Sequence, residues 1–131
     1  MKKIAVLVIG IICVLQLTGC KGQIAQKETI LRVDSNKGVT LGVGEILEIR
    51  LDSNPTTGYI WQCSHIGAKA PIKDIGTEYT SQAKAIGAGG TRIYRFKAVK
   101  PGEEKVYFEY SRPWEKEVDP AKRYFVKISV Q

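Results

Sequence analysis

Cys63 and His65 are the side chains of this sequence best suited to covalent chemistry. They stand at i and i+2, so on a β-strand both fall on one face, and a thiol beside an imidazole is the arrangement of an activated nucleophile. Trp61 shares that alternation and marks the face as inward, so a small buried hydrophobe and a strand-end histidine account for the pair equally well. His65 is the only histidine, and no group of Cys, His, Asp or Glu has metal-ligand spacing. The expectation is a chain without catalysis, metal or cofactor.

A second kind of chemistry, non-covalent docking, is suggested by three other stretches. In Asn54-Pro55-Thr56-Thr57-Gly58-Tyr59, Pro55 fixes its own φ and biases Asn54 toward extended geometry, while Thr56 and Thr57 are stiff at χ1. Gly58 allows a positive φ where the chain turns back into a strand. Such a loop is pre-shaped for insertion, although an ordinary Asn-Pro turn has the same local residues. Gly87-Ala88-Gly89-Gly90 lets backbone approach a partner closely. With no following helix or lysine it is no phosphate loop, and alone it reads as a flexible turn. Arg112-Pro113-Trp114 offers an arginine and a tryptophan held by proline, the residue types that carry binding energy at interfaces. Taken alone, Trp114 reads as readily as a core residue.

The elements that must position these stretches are strands. Apolar residues alternate with polar ones at 45–51 (Leu47, Ile49, Leu51), 59–66 (Tyr59, Trp61, Cys63), 92–99 (Tyr94, Phe96, Ala98), 104–111 (Val106, Phe108, Tyr110) and 123–130 (Tyr124, Val126, Ile128, Val130). A first strand is expected at 29–34, a short one at 39–41 and a weaker one at 72–82, the last interrupted at Gly76. No segment has convincing helical periodicity. Seven or eight short strands in a single domain predict an all-β, immunoglobulin-like antiparallel β-sandwich. Counting traverses sharpens this. From the Asn54 loop the chain runs out along 59–66 and back along 72–82, then out along 92–99 and back along 104–111. It therefore returns to one end of the sandwich at 83–90 and again at Arg112-Pro113-Trp114. The turns at Pro71 and Pro101 belong to the other end.

The chain has 131 residues, 44% of them hydrophobic, which suits one globular domain after an export segment. Lys2 and Lys3 precede an apolar run at 4–15, too short for a comfortable membrane span, and Leu17-Thr18-Gly19-Cys20 follows. This pattern resembles a bacterial lipobox. It implies a signal peptide over 1–19, a lipidated Cys20, a tether over 20–28 and a domain over 29–131, with the protein held at the cell envelope or surface by its lipid; a plain secretory signal in which Cys20 is incidental has the same charged and apolar regions. Cys63 is then the only cysteine of the folded part, so no internal disulfide forms. Without Lys2 and Lys3 the chain keeps 18 basic residues against 13 acidic, a net of +5. The basic residues are scattered, which predicts a solvated surface and no nucleic-acid footprint. The protein is expected to act as a monomer.

Together, Asn54–Tyr59, Gly87–Gly90 and Arg112–Trp114, with Trp61, Phe96, Ala98 and Tyr110 at framework positions, resemble the three signature motifs of the chagasin family. These are proteinaceous inhibitors of papain-like cysteine peptidases. The resemblance covers the domain from about Thr29 to Val130 and implies reversible, competitive inhibition. It implies that the 54–59 loop enters the peptidase cleft with Thr57 or Thr56 near the catalytic thiol. It further implies that Gly87–Gly90 and Arg112–Trp114 grip the two flanks. An adhesion or ligand-binding module on the same sandwich would explain converging loops but not this trio of motifs. A structural envelope lipoprotein would explain neither.

Overall fold

Period-two alternation of apolar side chains becomes eight strands in the computed structural model, which describes residues 28–32, 38–81 and 84–131. They are β1 (Glu28–Arg32), β2 (Gly38–Leu41), β3 (Ile46–Ser53), β4 (Ile60–Cys63), β5 (Ile72–Ser81), β6 (Gly90–Ala98), β7 (Gly102–Ser111) and β8 (Lys122–Val130). Two four-stranded sheets result, ordered β1-β3-β6-β5 and β2-β8-β7-β4. The expected signal peptide, lipidated Cys20 and most of the tether lie outside the described residues.

The core lies between the sheets and is filled by the side chains the alternation points inward. Leu47, Ile49 and Leu51 of β3 meet Phe96 and Ala98 of β6, and Val106 and Phe108 of β7 meet Val126 and Ile128 of β8. Each is essentially inaccessible to water, which at about 25 cal/mol per Å² of apolar surface is the main force holding the sheets together. Trp61 and Tyr94 are also buried. The Trp61 indole N–H donates to the Asp52 carbonyl at 2.9 Å, and the Tyr94 hydroxyl donates to the Trp61 carbonyl at 2.9 Å. These bonds tie β4 across to the opposite sheet.

Three features depart from the simplest reading of the alternation. The two edge pairings, β1 with β3 and β2 with β8, are parallel, while the other pairings are antiparallel. The consecutive strands β1 and β2 belong to different sheets, so neither can form a hairpin with the other. β4 stops at Cys63, short of Ile66. Beyond it the Ser64 N–H donates to the Tyr107 carbonyl at 2.8 Å, and the chain then crosses from one sheet to the other to begin β5. Finally, Glu48 occupies an outward position but is only 3% exposed. The guanidinium groups of Arg50 and Arg95 close over its carboxylate, the latter at 2.9 Å, and Arg95 also reaches Glu78. A carboxylate so covered must keep its partners, because losing one strands a buried charge. The break expected at Gly76 is a β-bulge between Asp74 and Gly76, where the Gly76 N–H donates to Asp74 Oδ1 at 2.9 Å.

Candidate functional site

Three register positions bring the singled-out loops to one end of the sandwich. Ser53, last in β3, pairs with Gly90, first in β6; Gly90 also pairs with Ser81, last in β5. Ile60, first in β4, pairs with Ser111, last in β7. The loops after β3, before β6 and after β7 therefore form one crest, as the traverse count predicts. Gln82 and Ala83 lie outside the described residues.

The central loop is a single 3₁₀ turn, Pro55–Thr57, with Asn54 before it and Gly58 in the left-handed conformation (φ 82°) after it. Its shape is fixed by short-range bonds. The Thr57 N–H donates to the Asn54 carbonyl at 3.2 Å and the Gly58 N–H to the Pro55 carbonyl at 3.0 Å. The Thr57 hydroxyl donates to the Asn54 carbonyl at 2.7 Å, and the Thr56 hydroxyl to Asn54 Oδ1 at 2.5 Å. Both threonine hydroxyls are thus committed within the loop although both residues are exposed.

Asn54 is the hub. Its backbone N–H donates to the hydroxyl of buried Tyr110 at 3.0 Å, and its side-chain amide donates to the Gly87 carbonyl at 3.2 Å. The first bond roots the loop in the core; the second fastens it to the glycine loop. Beneath the turn the rings of Tyr59, Tyr110 and Trp61 follow one another at centroid distances of 5.4 and 4.9 Å. Aromatic contacts of this kind add to simple area burial.

Arg112 behaves differently from an exposed anchor. Its guanidinium lies 4.4 Å over the Tyr59 ring, donates from Nε to the Thr57 carbonyl at 3.2 Å and pairs with Glu115 at 3.2 Å. It braces the central loop. Trp114 is the side chain left outward, 66% exposed, with the edge of its indole resting on Gly58. A Cβ at Gly58 would collide with Trp114 Cη2.

Within the glycine loop the residues divide similarly. Gly87 is exposed with φ 81°, and the Ala88 N–H donates to the Ala85 carbonyl at 3.1 Å. Gly90 is buried, and a Cβ there would meet the Thr80 carbonyl and the Tyr79 hydroxyl, so its smallness serves the sheet. Ile86, which belongs to none of the three motifs, is fully exposed beside this loop. An open groove of about 770 Å³ runs between it and Pro55, Thr56 and Tyr79. Isoleucine ordinarily signals a core position; here the signal lay in its neighbour, since a residue abutting a positive-φ glycine at a turn has no sheet to face.

Cys63 and His65 do not make a catalytic pair. His65 is exposed beyond the end of β4, and the Cys63 thiol donates to the Ser64 carbonyl at 3.4 Å. Burial, assisted by the Asp74 carboxylate, pushes this thiol up to about 12 from an ordinary 9.0. Two outcomes follow. Labelling of the native protein by a thiol reagent at pH 8 should be at least about a hundredfold slower than that of free cysteine, since only the thiolate reacts. The folded state also holds this proton more tightly than the unfolded state. Its contribution to stability is therefore whole below pH 9 and declines as pH rises toward 12, which denaturant titrations across that interval measure. Among the described residues no group of three or more Cys, His, Asp or Glu is placed to hold a metal.

The sequence matches Chagasin family peptidase inhibitor I42 over residues 40–128. It is 30% identical over 103 residues to chagasin of Trypanosoma cruzi, covering 76% of this chain and 94% of that protein. It is 28% identical over 99 residues to amoebiasin-1 of Entamoeba histolytica, covering 75% and 94% respectively. The fold is shared with the crystal structure of a cysteine protease inhibitor from Entamoeba histolytica, at a TM-score of 0.72 and 21% identity, covering 82% of this chain and 98% of that one. This chain belongs to the chagasin family of peptidase inhibitors. It is an inhibitor of cysteine peptidases rather than an enzyme.

Proposed function

We propose that the crest inhibits papain-like cysteine peptidases reversibly and competitively, with the Asn54–Tyr59 loop in the substrate cleft and the loops carrying Gly87 and Trp114 on its two rims. The observation that carries this reading is the cross-bracing of the three loops: Asn54 to Gly87, Arg112 to Thr57, and Trp114 against Gly58. A crest assembled before contact loses little conformational entropy on docking, so more of its contact energy appears as affinity. Nanomolar binding needs about 12 kcal/mol. The central loop alone is too small for that, whereas two flanks with an exposed indole and an exposed isoleucine bring the contact toward the ordinary size of a tight interface.

The same bracing explains how such a loop would resist cleavage. Attack on a peptide carbonyl needs a near-aligned, accessible bond. Here the Thr57 carbonyl is occupied by Arg112, and the turn is closed by hydrogen bonds from Thr57 and Gly58. Straightening it into a cleavable segment would break these bonds together.

Titration of papain with the protein is expected to give stoichiometric inhibition that substrate relieves, with the inhibitor recovered uncleaved. Absence of tight inhibition across several papain-like enzymes would overturn the reading. The proposal includes an exported location and an anchor at Cys20, supported by the Leu17-Thr18-Gly19-Cys20 pattern. Its check is a fatty-acid label incorporated by the native chain and lost in Cys20→Ser.

A further inference from the structure

The end of the sandwich opposite the crest carries charge that the fold does not use. Glu28, where β1 begins, pairs with Ile46, so the described chain starts at this far end. Here the Gly44 N–H donates to the Ala98 carbonyl, the Val43 N–H to the Gln131 carbonyl and the Val99 N–H to the Pro71 carbonyl. Turn 42–45, Pro71, residues 98–102 and the last residue thus make one surface. On it Val43 and Val99 are 53% and 43% exposed. Lys69, Lys73 and Lys100 are exposed nearby, and Lys97 partly so.

Lys73 and Lys97 are direct partners in the β5–β6 register. Like charges directly opposite one another destabilise a sheet, and no carboxylate of the described residues forms an ion pair with any of the four lysines. The described acids at this end form no ion pair with these lysines. Glu45 accepts from the Gly42 N–H at 3.0 Å, Asp74 accepts from the Gly76 N–H at 2.9 Å, and Glu103 is exposed at the start of β7.

We propose that this surface rests on an anionic lipid bilayer, with Val43 and Val99 at the headgroup boundary and Lys69, Lys73, Lys97 and Lys100 on lipid phosphates. The inference rests on the Cys20 anchor proposed above. Eight residues from Cys20 to Lys27 reach at most about 26 Å at roughly 3.3 Å each, which keeps the surface close to the membrane that holds the lipid. Tethering at such range gives an effective concentration on the order of millimolar, so a patch too weak to hold a free protein suffices for an anchored one. The crest lies beyond the eight residues of β3, a further length of about 26 Å. It therefore faces away from the bilayer, toward peptidases in solution.

The test uses the full lipidated chain reconstituted in vesicles, with nitroxide labels at Val43→Cys or, at the crest end, Val118→Cys. In phosphatidylglycerol vesicles the label at 43 should collide with lipid-dissolved oxygen more than with an aqueous nickel chelate, and the label at 118 the reverse. Replacing the lipid by phosphatidylcholine, or introducing Lys73→Glu with Lys97→Glu, should lower that ratio at position 43 about tenfold. Inhibition of papain by the vesicles labelled at position 43, with and without the two lysine reversals, should stay unchanged, which also shows that the variant is folded. A label at 43 as water-accessible as that at 118, indifference to lipid charge and charge reversal, or failure of the chain to stay with the vesicles would each overturn the proposal. Loss of inhibition in every sample, with the accessibility pattern intact, would instead count against the inhibitory reading.

Discussion

Replacing Trp114 with alanine is expected to raise the inhibition constant for papain about thirtyfold, equivalent to about 2 kcal/mol, while leaving thermal stability nearly unchanged. The two halves of this expectation have one cause. The indole is 66% exposed, so the folded monomer gains little by burying it and loses little when it goes. Its position is nonetheless fixed, because its edge rests on Gly58 and Arg112, two residues before it, is bound to Thr57 and Tyr59. A large rigid side chain held out by a defined support is the residue whose burial a partner would complete. Inhibition constants and melting temperatures for the same pair of proteins decide the matter. Unchanged inhibition with an intact fold would remove Trp114 from the contact surface.

A larger loss, about a hundredfold in inhibition, is expected for Gly58→Ala. The added methyl meets two obstacles at once. Gly58 has φ 82°, a conformation that costs a residue with a Cβ roughly 1–2 kcal/mol, and the Cβ would collide with Trp114 Cη2. Either the indole swings off its seat or the 3₁₀ turn opens, and both disturb the crest. Stability should fall by no more than the conformational cost, since the collision is with an exposed ring that has room to move. The two substitutions should then fail to add. In a Trp114→Ala background the collision is gone, and Gly58→Ala should cost only its backbone strain. Additive losses in that cycle would mean that Gly58 acts on the loop alone, without reference to Trp114.

The inward half of this fold was legible because alternation reports burial directly. The rows Leu47-Ile49-Leu51, Val106-Phe108-Tyr110 and Tyr124-Val126-Ile128-Val130 are the core as found. The traverse count worked for the same reason, since strand number and turn position fix which loops share an end. Alternation carries no information about which way an edge strand runs beside its neighbour, so the parallel pairings of β1 and β2 were not readable. It also misreports any outward residue that distant side chains cover, which is why Glu48 reads as a solvated residue and is buried beneath Arg50 and Arg95. At the crest, residue type alone does not say which side chains brace the loops and which face outward. Arg112 turns inward to brace Thr57, and Ile86, the side chain most exposed there, carries no motif signal.

The parallel pairing of β1 with β3 has a mechanical side. If the N-terminus is held by a membrane and the crest is gripped by a peptidase, any pull between them enters the domain at Glu28 and leaves at Ser53. The strands β1 and β3 point the same way, matched over five residues from Glu28 and Ile46 to Arg32 and Arg50. Such a load drags one along the other in shear, so the rungs of the ladder resist together rather than opening one after another as they would if β1 were peeled from its end. The edge strand that looks most dispensable in the sheet is the one through which the domain would bear tension.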